Sequence, residues 1–254
     1  MLARNIDWGL MPGAIALVGS GEYLPIMEPF EANLIQLGIA QGKSPKYVQL
    51  ATAAGKENFA SLQRWRELGE QQANRIGIEP IFIEAFNRDD AHNLKLVELV
   101  EDAALIYFSG GDPIYLTQSL IDSPLIERIR ANWQAGSSVA GCSAGAMALA
   151  AEVANPFKLT AAATPGLRFV SNLKVLPHFD RYFGWIPTPM AKFLGKASDG
   201  VLPIGIDEKT AMFATTDLNQ WEVWGFGKVQ PLNQNDKFFT SGNNLMLNQE
   251  LNQH

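Results

Sequence analysis

The stretch Val139–Ala150, VAGCSAGAMALA, sets Ser143 between Gly141 and Gly145 with small residues on either side. A Gly-x-Ser-x-Gly run is the sequence of a nucleophile elbow, in which a strained turn from strand to helix lifts the hydroxyl clear of a sheet edge. The flanks agree with that setting: SSVA before it reads as a strand, and AGAMALAAEVA after it as a helix. Ser143 then stands at a helix N-terminus, where backbone N–H groups can stabilise an oxyanion, Ala144 N–H being the natural donor. The same run also suits a small residue where a strand meets a helix, and the pattern alone does not separate the two. Cys142, the one cysteine of the chain, precedes the central elbow position and reads as a small buried apolar residue.

Upstream of the elbow, short β-rich runs alternate with segments of helical period. Strands are expected at AIALVG (14–19), KYVQLAT (46–52), PIFIEA (80–85), ALIYFSG (104–110) and SSVAGCS (137–143). Between them, residues 57–77 carry Phe59, Leu62, Trp65 and Leu68 on one helical stripe. Residues 89–102 carry Leu94, Val97 and Val100 after an Asp90 cap, and 123–136 form a helix closing at Gly136. This alternation predicts a three-layer α/β/α sandwich with a mostly parallel central sheet. After Ala151 the pattern changes to LKVLP, VLPIGID and TAMFATT, then to QWEVWGFGKVQPL and KFFTSGNNLMLNQ, which read as a C-terminal meander adding antiparallel strands. No linker or repeat divides residues 1–254, so one domain is expected, with a frayed tail at NQELNQH.

Composition narrows the function. The chain has 254 residues, 47% of them hydrophobic, and a formal net charge of −6. Without a cluster of Lys and Arg to neutralise phosphates, nucleic acid is not an expected partner, and a small peptide or other small molecule is. A single cysteine excludes a disulfide framework and the multi-cysteine zinc patterns, which fits the cytoplasm. No stretch is long and apolar enough to predict a membrane span.

A serine nucleophile needs a base, and the candidates are His92, His178 and His254. His92 falls at the start of an expected helix and His254 ends a polar tail, which leaves His178, directly after the apolar run LKVLP. The order of residues then bears on the fold. The only carboxylate between Ser143 and His178 is Glu152, expected within the helix after the elbow and poorly placed to orient an imidazole. An acid after His178 is better placed, and VLPIGIDEKT offers Asp207 and Glu208 at the end of a strand without deciding between them. In LIYFSGGDPIYL, Gly110 and Gly111 end a strand before a helix beginning near Asp112, and Gly111 N–H can join Ala144 in an oxyanion hole. LVGSGEYL has Leu24 where a dinucleotide fingerprint needs its third glycine, so nucleotide binding is not expected.

Together, SGGD (109–112), GCSAGAMAL (141–149), LPHFDR (176–181) and GIDEKTA (205–211) resemble the peptidase E and cyanophycinase family, in that family's order and over most of the chain. The resemblance implies a class I glutamine amidotransferase-like fold with serine at the elbow. It implies Ser143 as nucleophile, His178 as base, Glu208 as orienting acid, and Gly111 and Ala144 as oxyanion hole, with no metal or cofactor. It further implies acyl transfer on short aspartyl peptides. The chain departs from both branches: Pro113 follows Gly-Gly-Asp where cyanophycinases have glutamine, and Asp112 stands where peptidase E has asparagine. Asp112 and Arg181 are expected to contact substrate, Arg181 through a substrate carboxylate. The competing expectations are a non-catalytic amidotransferase-like binding domain and an α/β-hydrolase esterase, the latter weakened by the triad order. Whether the chain is a monomer or a homodimer is left open, with Trp221, Trp224, Phe226, Phe238 and Phe239 expected to pack into the core.

Overall fold

The computed structural model describes residues 12–154, 164–181, 197–233 and 237–251. Its centre is an eight-stranded sheet ordered β13-β11-β10-β1-β5-β4-β2-β3. The parallel part comprises β1 (Ile15–Val18), β2 (Ser44–Leu50), β3 (Glu79–Ile83), β4 (Ala103–Phe108) and β5 (Ser138–Cys142). Strands β1, β4 and β5 are buried at every position, as expected of a parallel sheet covered on both faces. Strands β10 (Thr210–Ala214), β11 (Gln220–Gly225) and β13 (Asn244–Met246) extend it in antiparallel fashion beside β1. The sandwich expected from the alternating pattern is what the chain forms.

Helix α1 (Glu28–Ala40) and helix α2 (Phe59–Ile76) cover one face, where Phe30, Leu34 and Ile35 pack with Tyr23, Tyr47 and Tyr107. Short helix α3 (Leu94–Glu98) and helix α5 (Pro124–Gln134) cover the other, with Val97, Ile126 and Ile129 against Val48, Ile106 and Val139. Helix α4 (Pro113–Leu120) packs against the six-residue helix α6 (Ala144–Leu149) near the sheet edge.

Several expectations are corrected here. Helix α1 has no counterpart in the sequence reading: Pro29 in its first turn is a usable start signal, but its apolar residues Leu34, Ile35, Leu37 and Ile39 are spread around the helix and form no single narrow stripe. The helix expected over 89–102 is a 3-10 turn at Asp90–His92 followed by α3, whose cap is Asn93 accepting from Lys95 N–H. Asp90 is instead taken up by the N–H groups of Phe86 and Asn87. Phe59 and Leu94, the first members of their stripes, are exposed at 75% and 65%, since each opens its helix at the rim. The helix after the elbow ends at Leu149, and Glu152 lies in β6 (Glu152–Val153).

The C-terminal strands do not run on as one meander. A second, five-stranded sheet is ordered β12-β9-β8-β6-β7, with β7 Thr164–Pro165, β8 Leu173–Leu176, β9 Leu202–Ile206 and β12 Val229–Pro231. The chain enters this sheet after β5, leaves it after β9, returns for β12 alone and goes back to the large sheet for β13. Residues 247–251 form a helical turn, and Glu250, expected in a frayed tail, is buried with Lys237 Nζ 2.6 Å from its carboxylate. Of the C-terminal aromatics, Trp221 is fully buried whereas Phe226 and Phe238 are exposed.

Candidate active site

The parallel strands of the large sheet send their following loops to one edge, the position where open α/β sheets place ligand sites. Cys142 ends β5 and Ser143 follows with φ 50° and ψ −110°, a conformation that strains a non-glycine residue and aims its side chain out of the sheet. Two close approaches make this turn possible. A Cβ on Gly141 would stand 2.4 Å from Gly145 C, and one on Gly145 would stand 2.2 Å from Phe108 O. Both elbow glycines are therefore required by contact between backbones.

The smaller sheet supplies the other two groups. Strands β8 and β9 are parallel neighbours with Leu176 paired to Gly205. His178 lies two residues past the end of β8 and Glu208 two past the end of β9, so the register carries both side chains to the same edge. Ser143 Oγ is 3.0 Å from His178 Nε2, and His178 Nδ1 is 2.9 Å from Glu208 Oε1. A carboxylate accepts hydrogen bonds only, so Nδ1 carries the proton and Nε2 is left to accept from the Ser143 hydroxyl. Glu208 is tied in further by Arg181 Nε, 3.1 Å from its Oε2, and by its own N–H donating to Asp180 Oδ1 at 3.0 Å.

The loop after β1 joins the two sheets at this edge. Ser143 N–H donates to Val18 O at 2.9 Å, His178 N–H to Gly19 O at 3.3 Å and Lys209 N–H to Ser20 O at 3.3 Å. A Cβ on Gly19 would stand 2.1 Å from Asp207 O, so only glycine fits where the elbow, His178 and Glu208 converge. The sequence reading discounted this glycine pair as a nucleotide loop and missed its place in the site. It also missed Glu22, whose Oε1 accepts from Gly110 N–H at 3.0 Å and whose Oε2 accepts from Cys142 Sγ at 3.0 Å. The available signal was a carboxylate just after two glycines that end a buried strand.

The remaining candidates separate on geometry. Asp207, left open against Glu208, points away: its Oδ2 accepts from Lys228 N–H at 2.8 Å, and burial raises its pKa. Cys142 is fully buried, and burial together with the neighbouring Glu22 pushes its thiol pKa up, which keeps it protonated beside the serine. Asp112 caps α4, its Oδ1 accepting from Ile114 and Tyr115 N–H. Arg181, whose Nε holds Glu208, has a side chain 74% exposed. His92 is exposed, with Nδ1 2.8 Å from Arg88 O. His254 lies outside the described residues. Among the described residues no group of three or more His, Cys, Asp or Glu side chains is placed to hold a metal ion, and no helix is long and apolar enough to cross a membrane.

A buried-elbow α/β sandwich with a serine, a histidine and a glutamate in hydrogen-bonded line is the architecture of a hydrolase. The model of peptidase family S51 matches residues 25–218, and the chain belongs to that family, making it a serine-type peptidase. A solved structure of a peptidase from an acI-B1 Actinobacterium is 46% identical, with 94% of this chain and 98% of that one covered at a TM-score of 0.88. A protein described as a Peptidase E from Listeria monocytogenes EGD-e shares the fold, with 19% identity over 85% of this chain and all of its own, at a TM-score of 0.59. No curated protein matches the chain.

Proposed function

We propose that the chain hydrolyses amide bonds of short peptides, aspartyl peptides among them, through an acyl-enzyme on Ser143. The observation that carries this reading is the unbroken line from Ser143 Oγ through the His178 ring to Glu208 Oε1. Ser143 Oγ attacks the amide carbonyl carbon while its proton passes to His178 Nε2. The tetrahedral oxyanion is received by the N–H groups of Ala144, at the start of α6, and of Gly111. Collapse breaks the C–N bond, and His178 Nε2–H protonates the leaving amine. Water then attacks the ester carbon, gives its proton to His178, and frees the carboxylic acid and Ser143. Glu208 fixes the ring's tautomer and stabilises the imidazolium that forms at each step. In this reading Asp112 and Arg181 contact the substrate's polar groups, and the compartment is a reducing one, the cytoplasm.

The test is amine release, followed by mass spectrometry, from a panel of α-aspartyl, β-aspartyl and non-aspartyl dipeptides, comparing the wild type with Ser143→Ala. Cleavage that disappears in the variant supports the reading and identifies the acyl side preferred. A folded wild-type sample that cleaves no member argues against it.

A further inference from the structure

Glu22 is a half-buried carboxylate beside the nucleophile that the proposed mechanism does not use. Its distance from the chemistry can be judged at Gly110: a Cβ there would stand 2.6 Å from Glu22 Oε1, 3.4 Å from Ser143 Cβ and 3.7 Å from Ser143 Oγ. The carboxylate and the hydroxyl thus both lie close to Gly110. The partners of Glu22 are Gly110 N–H and the Cys142 thiol, a weak donor. No ion pair among the described residues includes Glu22, so neither partner carries a positive charge. With about four lone-pair sites on the two oxygens, the carboxylate retains capacity to accept from a third, stronger donor.

A negative charge in this position opposes the reaction unless something offsets it. The oxyanion that develops on the attacked carbonyl feels a like charge in a site from which substrate displaces water, where screening is weak. A cation on the acyl side of the substrate removes that penalty. In an aminoacyl group the nitrogen is two bonds from the attacked carbon, so its ammonium is carried to the neighbourhood of Glu22 when the carbonyl meets Ser143 Oγ. A neutral, acylated nitrogen leaves Glu22 desolvated and uncompensated, which rejects it.

We propose that Glu22 is a specificity-determining residue that binds the free ammonium group of the substrate's acyl-side residue, restricting the enzyme to unblocked amino termini. This rests on the serine-hydrolase reading of Ser143 but not on peptides being the natural substrate. The test therefore uses activated esters: p-nitrophenyl esters of alanine and aspartate, each with a free and an N-acetylated amine, corrected for spontaneous hydrolysis. The wild type is expected to turn over the ammonium ester at least about 10-fold faster in kcat/KM than its acetylated counterpart. In Glu22→Gln, which keeps an acceptor for Gly110 N–H, that preference is expected to fall roughly 10- to 100-fold. The fall is carried mainly by KM for the ammonium ester, and turnover of the acetylated ester rises. Glu22→Asp, which keeps the charge, retains a preference, and it serves where the glutamine variant does not fold.

A wild type indifferent to acetylation overturns the proposal, as does a glutamine variant that slows both esters equally, since Glu22 would then only brace the elbow against the Gly110 loop. Ser143-dependent ester selectivity with no dipeptide cleavage would support Glu22 while removing the peptide-substrate reading. Absence of any Ser143-dependent ester turnover overturns both.

Discussion

Ser143 at φ 50° and His178 at φ 51° are both non-glycine residues held in the left-handed region, each at a cost of order 1–3 kcal/mol. The surrounding hydrogen bonds hold them there, and the hydrogen-bonded line through Glu208 is the result. Glu208→Gln keeps the shape but lets the ring adopt the wrong tautomer, so kcat is expected to drop by about 10³- to 10⁴-fold in steady-state kinetics. Arg181→Gln is expected to lower kcat only several-fold, because an exposed pair with Glu208 is screened by solvent. An equal loss of kcat in both variants would show that the Arg181 pair, despite its exposure, is what holds Glu208 in line. The sequence pointed to Ser143 and His178 by motif and elimination, but Asp207 and Glu208 are neighbours with the same chemistry. Only the turn after β9 separates them, sending one carboxylate to Lys228 N–H and the other to the imidazole.

Strands β8 and β9 carry His178 and Glu208 to the elbow, and the Gly19 loop after β1 holds that junction together. Gly19→Ala is expected to destabilise the fold by about 1–3 kcal/mol, read from urea unfolding, and to reduce kcat, because the Asp207 carbonyl must move. A variant with wild-type stability and activity would show that the junction is looser than these contacts imply. Away from the site, Asn93→Ala is expected to cost about 1 kcal/mol by removing the cap of α3, while Asp90→Ala acts on the preceding loop. The parallel strands were legible because buried strands read as apolar runs bounded by turn residues. The Asn93 start was not, because Asp90 has equal capping chemistry three residues earlier. Helix α1 was hidden because its apolar residues do not keep to one narrow stripe, and the division of the C-terminal strands between two sheets leaves no mark in local periodicity.

Helices α1 and α2 bury a polar network against the large sheet. Glu31 is fully buried, with Tyr47 O–H donating to its Oε2 at 2.8 Å and Tyr23 N–H near its Oε1, and burial raises its pKa from 4.5 to about 7. Gln72 also bonds to it, and Glu22 adds a like charge. Because the folded protein holds this proton more tightly than the unfolded chain, the associated stability is fully present below about pH 4.5. It is lost as pH rises through about 7. Urea unfolding at pH 5 and pH 8 is expected to show a decline of up to about 3 kcal/mol attributable to this group, and Glu31→Gln is expected to flatten it. An unchanged decline in the variant would assign it elsewhere. The most direct measurement of the whole account is reaction of the native protein with a fluorophosphonate, read by intact mass and peptide mapping. The assembled line of Ser143, His178 and Glu208 predicts one adduct, on Ser143, formed far more slowly in His178→Ala. No adduct on folded protein, or an adduct on Cys142 in its place, would contradict it.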